Sequence, residues 1–105
     1  MSLQIQSNFN NEGNQWEIKA IGDVDISTAP KLRECLDAAL QEKKANIVLH
    51  LEDLDYIDST GLGVIIGTMG KMKEDNKQII LVNPKDNIKK LLSITNLDRI
   101  LCPKI

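Results

Sequence analysis

The hydrophobic period of this 105-residue chain changes at Gly22. Before it, apolar side chains recur at alternate positions: Leu3, Ile5 and Phe9 in one run, Trp16, Ile18 and Ala20 in the next. Alternation of this kind describes strands with one buried face, and the "NNEGN" between them reads as a turn, so a hairpin is predicted. After Gly22 the apolar residues Leu32, Leu36, Ala39 and Leu40 keep helical spacing, with Cys35 beside the stripe. Ser27 or Thr28 can cap this helix, and Pro30 fits its first turn. "ANIVLHL" is then nearly continuous in apolar residues, the pattern of a strand covered on both faces. The acidic "EDLDYID" leads into a helix from about Ser59 to Glu74. "KQIILVNP" predicts a strand stopped by Asn83-Pro84, which opens a helix over "KDNIKKLLSI" with Ile88, Leu91 and Leu92 inward. "TNLDRILCPKI" is a short last element of unassigned type. The order β-β-α-β-α-β-α predicts an α/β fold, one domain over residues 1–105. Its sheet is mixed, with right-handed crossovers and an antiparallel hairpin at the start.

Charge and composition exclude several functions. Thirteen Lys and Arg face fifteen Asp and Glu, a formal charge of -2, so the basic excess of a nucleic-acid binder is missing. "KDNIKK" reads as a solvated helix face. No apolar run is long enough to span a bilayer, and the start of the chain lacks the basic and apolar regions of a secretory leader. A cytoplasmic protein with no membrane partner is expected, and nothing demands more than a monomer. With Phe9, Trp16 and Tyr56 the only aromatics, the core must be built from Ile, Leu, Val and Met. Cys35 and Cys102 are far apart and form no CxxC, so both read as reduced, buried thiols. His50, with no second His and no Cys nearby, reads as a packed or edge histidine and not a metal ligand or base. No metal site and no cofactor are expected.

Three short motifs suggest enzymes, and each fails on spacing or context. "DVDIS", Asp23 to Ser27, has the DxDx[T/V/S] spacing of haloacid-dehalogenase-type phosphatases, in which the first Asp attacks phosphate. The chain lacks room for the rest of such an enzyme, and the stretch reads equally as a strand-to-helix turn. "DSTG", Asp58 to Gly61, places Gly three residues after Asp, where aspartic proteases place it two after, and the residues beyond it read as helix. A serine-hydrolase elbow needs Gly two residues on either side of Ser59; Gly61 fits, but Ile57 does not. The protein is therefore not expected to be an enzyme.

The residues support instead a serine at a strand-to-helix junction. Ser59 is a good N-cap candidate, with Thr60, Gly61 and Leu62 in the first turn. Gly61 and Gly63 each weaken a helix by roughly 1 kcal/mol relative to Ala, an odd choice unless something approaches the backbone closely. At about 100° per residue, Leu62, Ile65, Met69 and Met72 share one face, with Ile66 at its edge. Gly63, Gly67 and Gly70 share another, on the side of Ser59. That stripe either packs a neighbouring helix of the same fold or admits a partner. A phosphate on Ser59 would meet the helix amides and the positive end of the macrodipole. It would also add about -1.5 to -2 charge close to Asp58, and toward Asp25 and Asp55. The fold would be expected to tolerate such a group, and an interface docked there to be spoiled by it. Desolvating or opposing a charge costs roughly 2–5 kcal/mol, about 30-fold to several thousand-fold in affinity.

"YIDSTGLGVIIG" resembles the phosphorylation motif of bacterial anti-sigma factor antagonists, the stand-alone STAS domains, and is especially close to their general-stress type. "GDVDISTAPKLR" is similar to that family's G-x-x-D turn and first helix. "LLSITNLDRI" is similar to its carboxy-terminal helix region, where Gly is common at the position of Asn96. The resemblance covers essentially the whole chain. It implies a mixed sheet of four or five strands with packed helices, and a partner-switching function. The unphosphorylated protein would bind an anti-sigma factor and displace its sigma factor. That anti-sigma factor, itself a serine kinase supplying ATP and the Mg²⁺ site, would phosphorylate Ser59 and release the product. A PP2C-type phosphatase would restore the active form. Asp25 and Asp58 would be the nearby acids, and Thr60, Gly61, Leu62, Gly63 and Gly67 the surface at which the partner docks. An alternative use of the same domain is as a subunit of another signalling or transporter-associated complex.

Overall fold

β1 (Leu3–Asn10) and β2 (Gln15–Val24) form the hairpin that the alternation predicts, Leu3 opposite Gly22 and Phe9 opposite Trp16. A computed structural model describes residues 2–102. The remaining elements are α1 (Ala29–Glu42), β3 (Asn46–His50), β4 (Leu54–Ile57), α2 (Ser59–Lys73), β5 (Ile79–Val82), α3 (Asp86–Ile94) and α4 (Asp98–Leu101).

β2 organises the sheet. One edge carries antiparallel β1; the other carries β3 along Gln15–Lys19 and then β4 along Gly22–Val24, both parallel to it. β5 pairs in parallel with the far edge of β3. The sheet is mixed and five-stranded, as expected, but β4 is an addition to the predicted order. Its residues lie in the "EDLDYID" stretch, which the sequence presents only as a lead-in to the helix. Only Leu54 and Ile57 are buried, and Asp55 and Tyr56 between them face outward, so no alternation marks the strand. α4 is the unassigned last element, and residues 103–105 lie outside the described range.

Trp16, Ile18, Ala20 and Val24 of β2, Ile47 and Leu49 of β3, and Ile79 and Leu81 of β5 are buried. The side chains between them, Glu17, Lys19, Val48, His50, Ile80 and Val82, are only half-buried. The helices therefore cover one face, which corrects the two-sided burial expected for residues 45–51. Val48 is apolar on the open face because β3 is central: Glu17 and Ile80 flank it in register, and a β-branched residue suits that position. The core is aliphatic, as the scarcity of aromatics requires. Trp16 serves as an anchor, its indole N–H donating to the Lys43 carbonyl at 2.9 Å and fixing the end of α1. Phe9 packs edge-on to it at 5.2 Å, and the Lys43 ammonium sits 4.3 Å from the Phe9 ring centre.

Gly22 is required by the backbone. It has φ +109°, and a Cβ there would lie 2.4 Å from the Ser2 carbonyl oxygen. The kink falls where the β2–β4 register shifts, between Gly22 and Asp23, and so aims the end of β2 and the loop beyond it. Asn96 ends α3 in the left-handed region (φ +61°), which asparagine tolerates better than other residues with side chains. Cys35 is half-buried and Cys102 buried, both free; desolvation raises both thiols above their usual range, so neither is primed as a thiolate. No helix among the described residues is long and apolar enough to cross a membrane.

Candidate functional site

The loops after β2 and β4 meet because Val24 and Ile57 are paired, and the Asp58 amide extends the contact by donating to the Val24 carbonyl at 3.1 Å. The residues that close the two strands thereby bring Asp25 and the start of α2 to one end of the sheet.

Asp58, not Ser59, caps α2. Its backbone is extended, its carboxylate accepts from the Gly61 amide at 3.0 Å, and its carbonyl accepts from Leu62 at 3.0 Å. Aspartate is as good a cap as serine and its negative charge suits the helix start, so it takes the position one residue earlier. Ser59 is released to the first helical position, where it is exposed with Thr60 beside it. Neither the Ser59 nor the Thr60 amide has a protein acceptor among the described residues. Two helix-start donors thus stand open next to an exposed hydroxyl, the arrangement that receives an anion.

Gly61 and Leu62 are buried, which corrects their expected place on the docking surface. A Cβ on Gly61 would lie 2.5 Å from Val24 Cγ1 and 2.7 Å from Ile57 Cγ1. The close approach inferred from the glycine is real, but the approaching groups are the ends of β2 and β4. Gly63, Gly67 and Gly70 differ: a Cβ on any of them would meet nothing within 4 Å. The stripe beside Ser59 is therefore open and does not pack a helix of the same domain. α2 buries Val64, Ile65, Thr68 and Met72 instead, and the Thr68 hydroxyl is satisfied by the Val64 carbonyl at 2.9 Å. Met69 is only half-buried.

Asp25 organises its own loop. One carboxylate oxygen accepts from the Ser27 hydroxyl (2.6 Å), the Ser27 amide (2.9 Å) and the Thr28 amide (3.1 Å). The Ser27 hydroxyl, outweighing desolvation and aided by the two amides, holds the Asp25 carboxyl below the usual aspartate range. Thr28 occupies the N-cap position of α1, yet its hydroxyl turns back to the Asp23 carbonyl at 2.9 Å and the Asp25 amide at 2.8 Å. Asp25 thus fixes the loop beside Ser59 and keeps a negative charge there. On the other side, Asp55 of β4 pairs with Lys85, and its carbonyl accepts from Asn87 at 2.9 Å, tying the start of α3 to the same end of the sheet.

Two residues that sequence patterns do not single out frame the site. Ile26, 77% exposed, projects from the Asp25 loop, and Tyr56, 45% exposed, from β4. Both put apolar surface at the end of the sheet where the polar junction lies. An isoleucine between two loop-bound polar residues, out of phase with both β2 and α1, is the available signal for Ile26. His50 lies away from this end, on the open sheet face, with Nε2 2.6 Å from Glu17 Oε1. No group of metal-ligating side chains occurs among the described residues.

Residues 9–105 match the STAS domain family. The chain is 33% identical over 97 residues to the anti-sigma-B factor antagonist of Staphylococcus aureus, covering 92% of this chain and 88% of that protein. A Thermotoga maritima crystal structure, described as a candidate anti-sigma factor antagonist, superposes with a TM-score of 0.83 at 26% identity, covering 92% of this chain and 82% of that one. The phosphorylated form of the Bacillus cell fate determinant SpoIIAA shares the fold, with a TM-score of 0.71 at 23% identity over 93% of this chain and 86% of that one.

Proposed function

The chain belongs to the STAS domain family, and we propose that within it the protein works as an anti-sigma factor antagonist switched at Ser59. The unphosphorylated form binds an anti-sigma factor that is also a serine kinase, freeing the sigma factor. Transfer of phosphate from the kinase's ATP to the Ser59 hydroxyl then ends the complex, and a PP2C-type phosphatase reverses it. The observation that carries this reading is the exposed Ser59 hydroxyl beside two unpartnered amides, directly after a capping aspartate.

The geometry explains how a single group acts as a switch without remodelling the fold. The phosphate is accepted locally by the open Ser59 and Thr60 amides, so α2 loses nothing. The cost falls on the interface. The added negative charge, with Asp58 and Asp25 already nearby, must be desolvated or opposed when a partner closes over the helix start. Ile26 and Tyr56 supply apolar contact on either side, and the Gly63–Gly67 stripe lets the partner's backbone approach α2.

Incubation with the cognate anti-sigma kinase and ATP, followed by mass spectrometry, tests this. Phosphate is expected on Ser59 and absent from Ser59→Ala. Labelling that persists in Ser59→Ala, or that falls on Thr60 instead, refutes the assignment.

A further inference from the structure

The open side of α2 ends in a groove. Ile66, Met69 and Gly70 form one wall, Ile79 the floor and Ile100 of α4 the other wall, enclosing about 670 Å³. Ile66 is 41% exposed and Ile100 57% exposed, two of the five large apolar residues left open to solvent among the described residues. The rim carries Lys73 and Lys77 and no acidic side chain. Lys73 and Lys77, like several other cations of the described residues, form no ion pair and so leave positive charge on this edge. Asn46, Asn76 and Gln78 also line it, so the groove is mixed: an apolar strip from α2 to Ile100 beside a polar edge with two lysines, complementary to an amphipathic segment bearing carboxylates.

The groove is continuous with the Ser59 surface. At about 100° per residue, Ser59, Gly63, Ile66, Gly70 and Lys73 fall within roughly 80° of one another along α2. Their four-three-four-three spacing is the seam along which one helix packs against another. Ser59 and Gly70 are about 16 Å apart along the axis. A standard interface covers about 800 Å² on each partner, a patch of roughly 16 Å radius, so a protein seated over Ser59 reaches the groove.

We propose that this groove receives an amphipathic helix of the same partner that docks over Ser59, its apolar side chains entering between Ile66 and Ile100 and its carboxylates meeting Lys73 and Lys77. The proposal rests on the Ser59 reading and adds a second anchor. Phosphorylation dislodges the first anchor, and the second alone does not hold the complex.

Binding of the unphosphorylated protein to its anti-sigma kinase is measured by surface plasmon resonance for wild type, the Lys73→Glu/Lys77→Glu double variant and the Ile66→Ala/Ile100→Ala double variant. All these side chains are exposed or at the groove edge, and circular dichroism checks that each variant is folded. The charge reversal is expected to slow association and weaken binding about tenfold, with a reduced salt dependence. The alanine pair is expected to speed dissociation about tenfold. Ser59 labelling of the wild type in the same preparation separates the two readings. If the wild type is bound and labelled while both variants bind equally well, the groove proposal alone is overturned. If the wild type is neither bound nor labelled, the Ser59 reading falls and the proposal with it. A dimer of the free protein that the variants dissolve assigns the groove to a second copy and also overturns it.

Discussion

The Asp58 carboxylate accepts a hydrogen bond from the Gly61 amide at 3.0 Å, so the residue that caps α2 is the neighbour of the one proposed to carry phosphate. Capping and the proposed switching are thereby divided between adjacent positions. Asp58→Ala removes the cap and is expected to cost about 0.5–2 kcal/mol, read from urea denaturation. Asp58→Asn keeps the acceptor and loses the charge, so its cost is expected to be a small fraction of that. Ser59→Ala, at an exposed first helical position, is expected to lie within about 0.5 kcal/mol of wild type. A Ser59→Ala variant as unstable as Asp58→Ala would return the cap to the serine.

The glycines of α2 divide in the same way. Gly61→Ala gains helix propensity of about 1 kcal/mol but drives a methyl group against Val24 and Ile57, and a net loss of about 1–3 kcal/mol is expected. Gly63→Ala and Gly67→Ala meet open space and are expected to stabilise the fold by about 0.5–1 kcal/mol each. If the stripe is a docking surface, the same two variants bind the kinase less tightly while melting at higher temperature. Opposite movement of stability and affinity is the diagnostic result.

The hairpin, α1, α2 and α3 are legible in the sequence because each has a hydrophobic period, and β5 because a short apolar run ends at Asn83-Pro84. β4 is hidden, because a four-residue strand with two outward residues has no period to read. The reading of β3 as covered on both faces fails for a related reason: a central strand can hold Val48 on an open face because its neighbours screen it. At the site, helical projection alone puts Gly63, Gly67 and Gly70 on one stripe, and the structure leaves that stripe open. The sequence places the cap one residue late, because Asp58 and Ser59 are both good caps and only backbone geometry decides between them. It also sets Gly61 beside Gly63 on the docking surface, because neither composition nor spacing shows what lies above a glycine. The contact with Val24 and Ile57 comes from the β2–β4 pairing, which depends on the hidden strand.

Ser59→Asp places a single negative charge at the helix start. Because the macrodipole favours an anion there, stability is expected to be unchanged or higher by about 0.5 kcal/mol. Affinity for the unphosphorylated protein's partner is expected to fall roughly 30-fold or more, since the charge must be desolvated at the interface. Calorimetry on both proteins checks this pair of outcomes. Equal affinity would remove the charge argument even if Ser59 is labelled.

Ile26 offers a test that leaves the charges alone. Because the side chain is 77% exposed, Ile26→Ser is expected to change stability by less than about 0.5 kcal/mol. If Ile26 fills a pocket of the docked kinase, affinity falls roughly tenfold or more, mainly through faster dissociation. An unchanged dissociation rate would place Ile26 outside the interface.

Acid stability depends on the opposite face of the sheet. Desolvation raises the Glu17 carboxyl, but hydrogen bonds from His50 (2.6 Å) and Gln15 (2.6 Å) outweigh it, and the folded-state value lies below the usual 4.5. A group depressed on folding contributes stability that is present above its unfolded value and lost as pH falls through its folded one. Glu17 therefore stabilises the fold at neutral pH, and that contribution disappears in the acid range below about 4.5. Removing His50 leaves desolvation less opposed, so loss begins at higher pH in His50→Ala. Glu52 lies 3.8 Å from the other ring nitrogen and also faces the pair. A double-mutant cycle with Glu17→Gln and His50→Ala isolates the coupling from the packing lost with the ring. The coupling is expected at about 0.5 kcal/mol at neutral pH, as for a half-exposed pair, and near zero once Glu17 is protonated. Urea midpoints of the four proteins across the acid range provide the measurement. A coupling that does not change with pH would mean that the ring acts on Glu17 through packing alone.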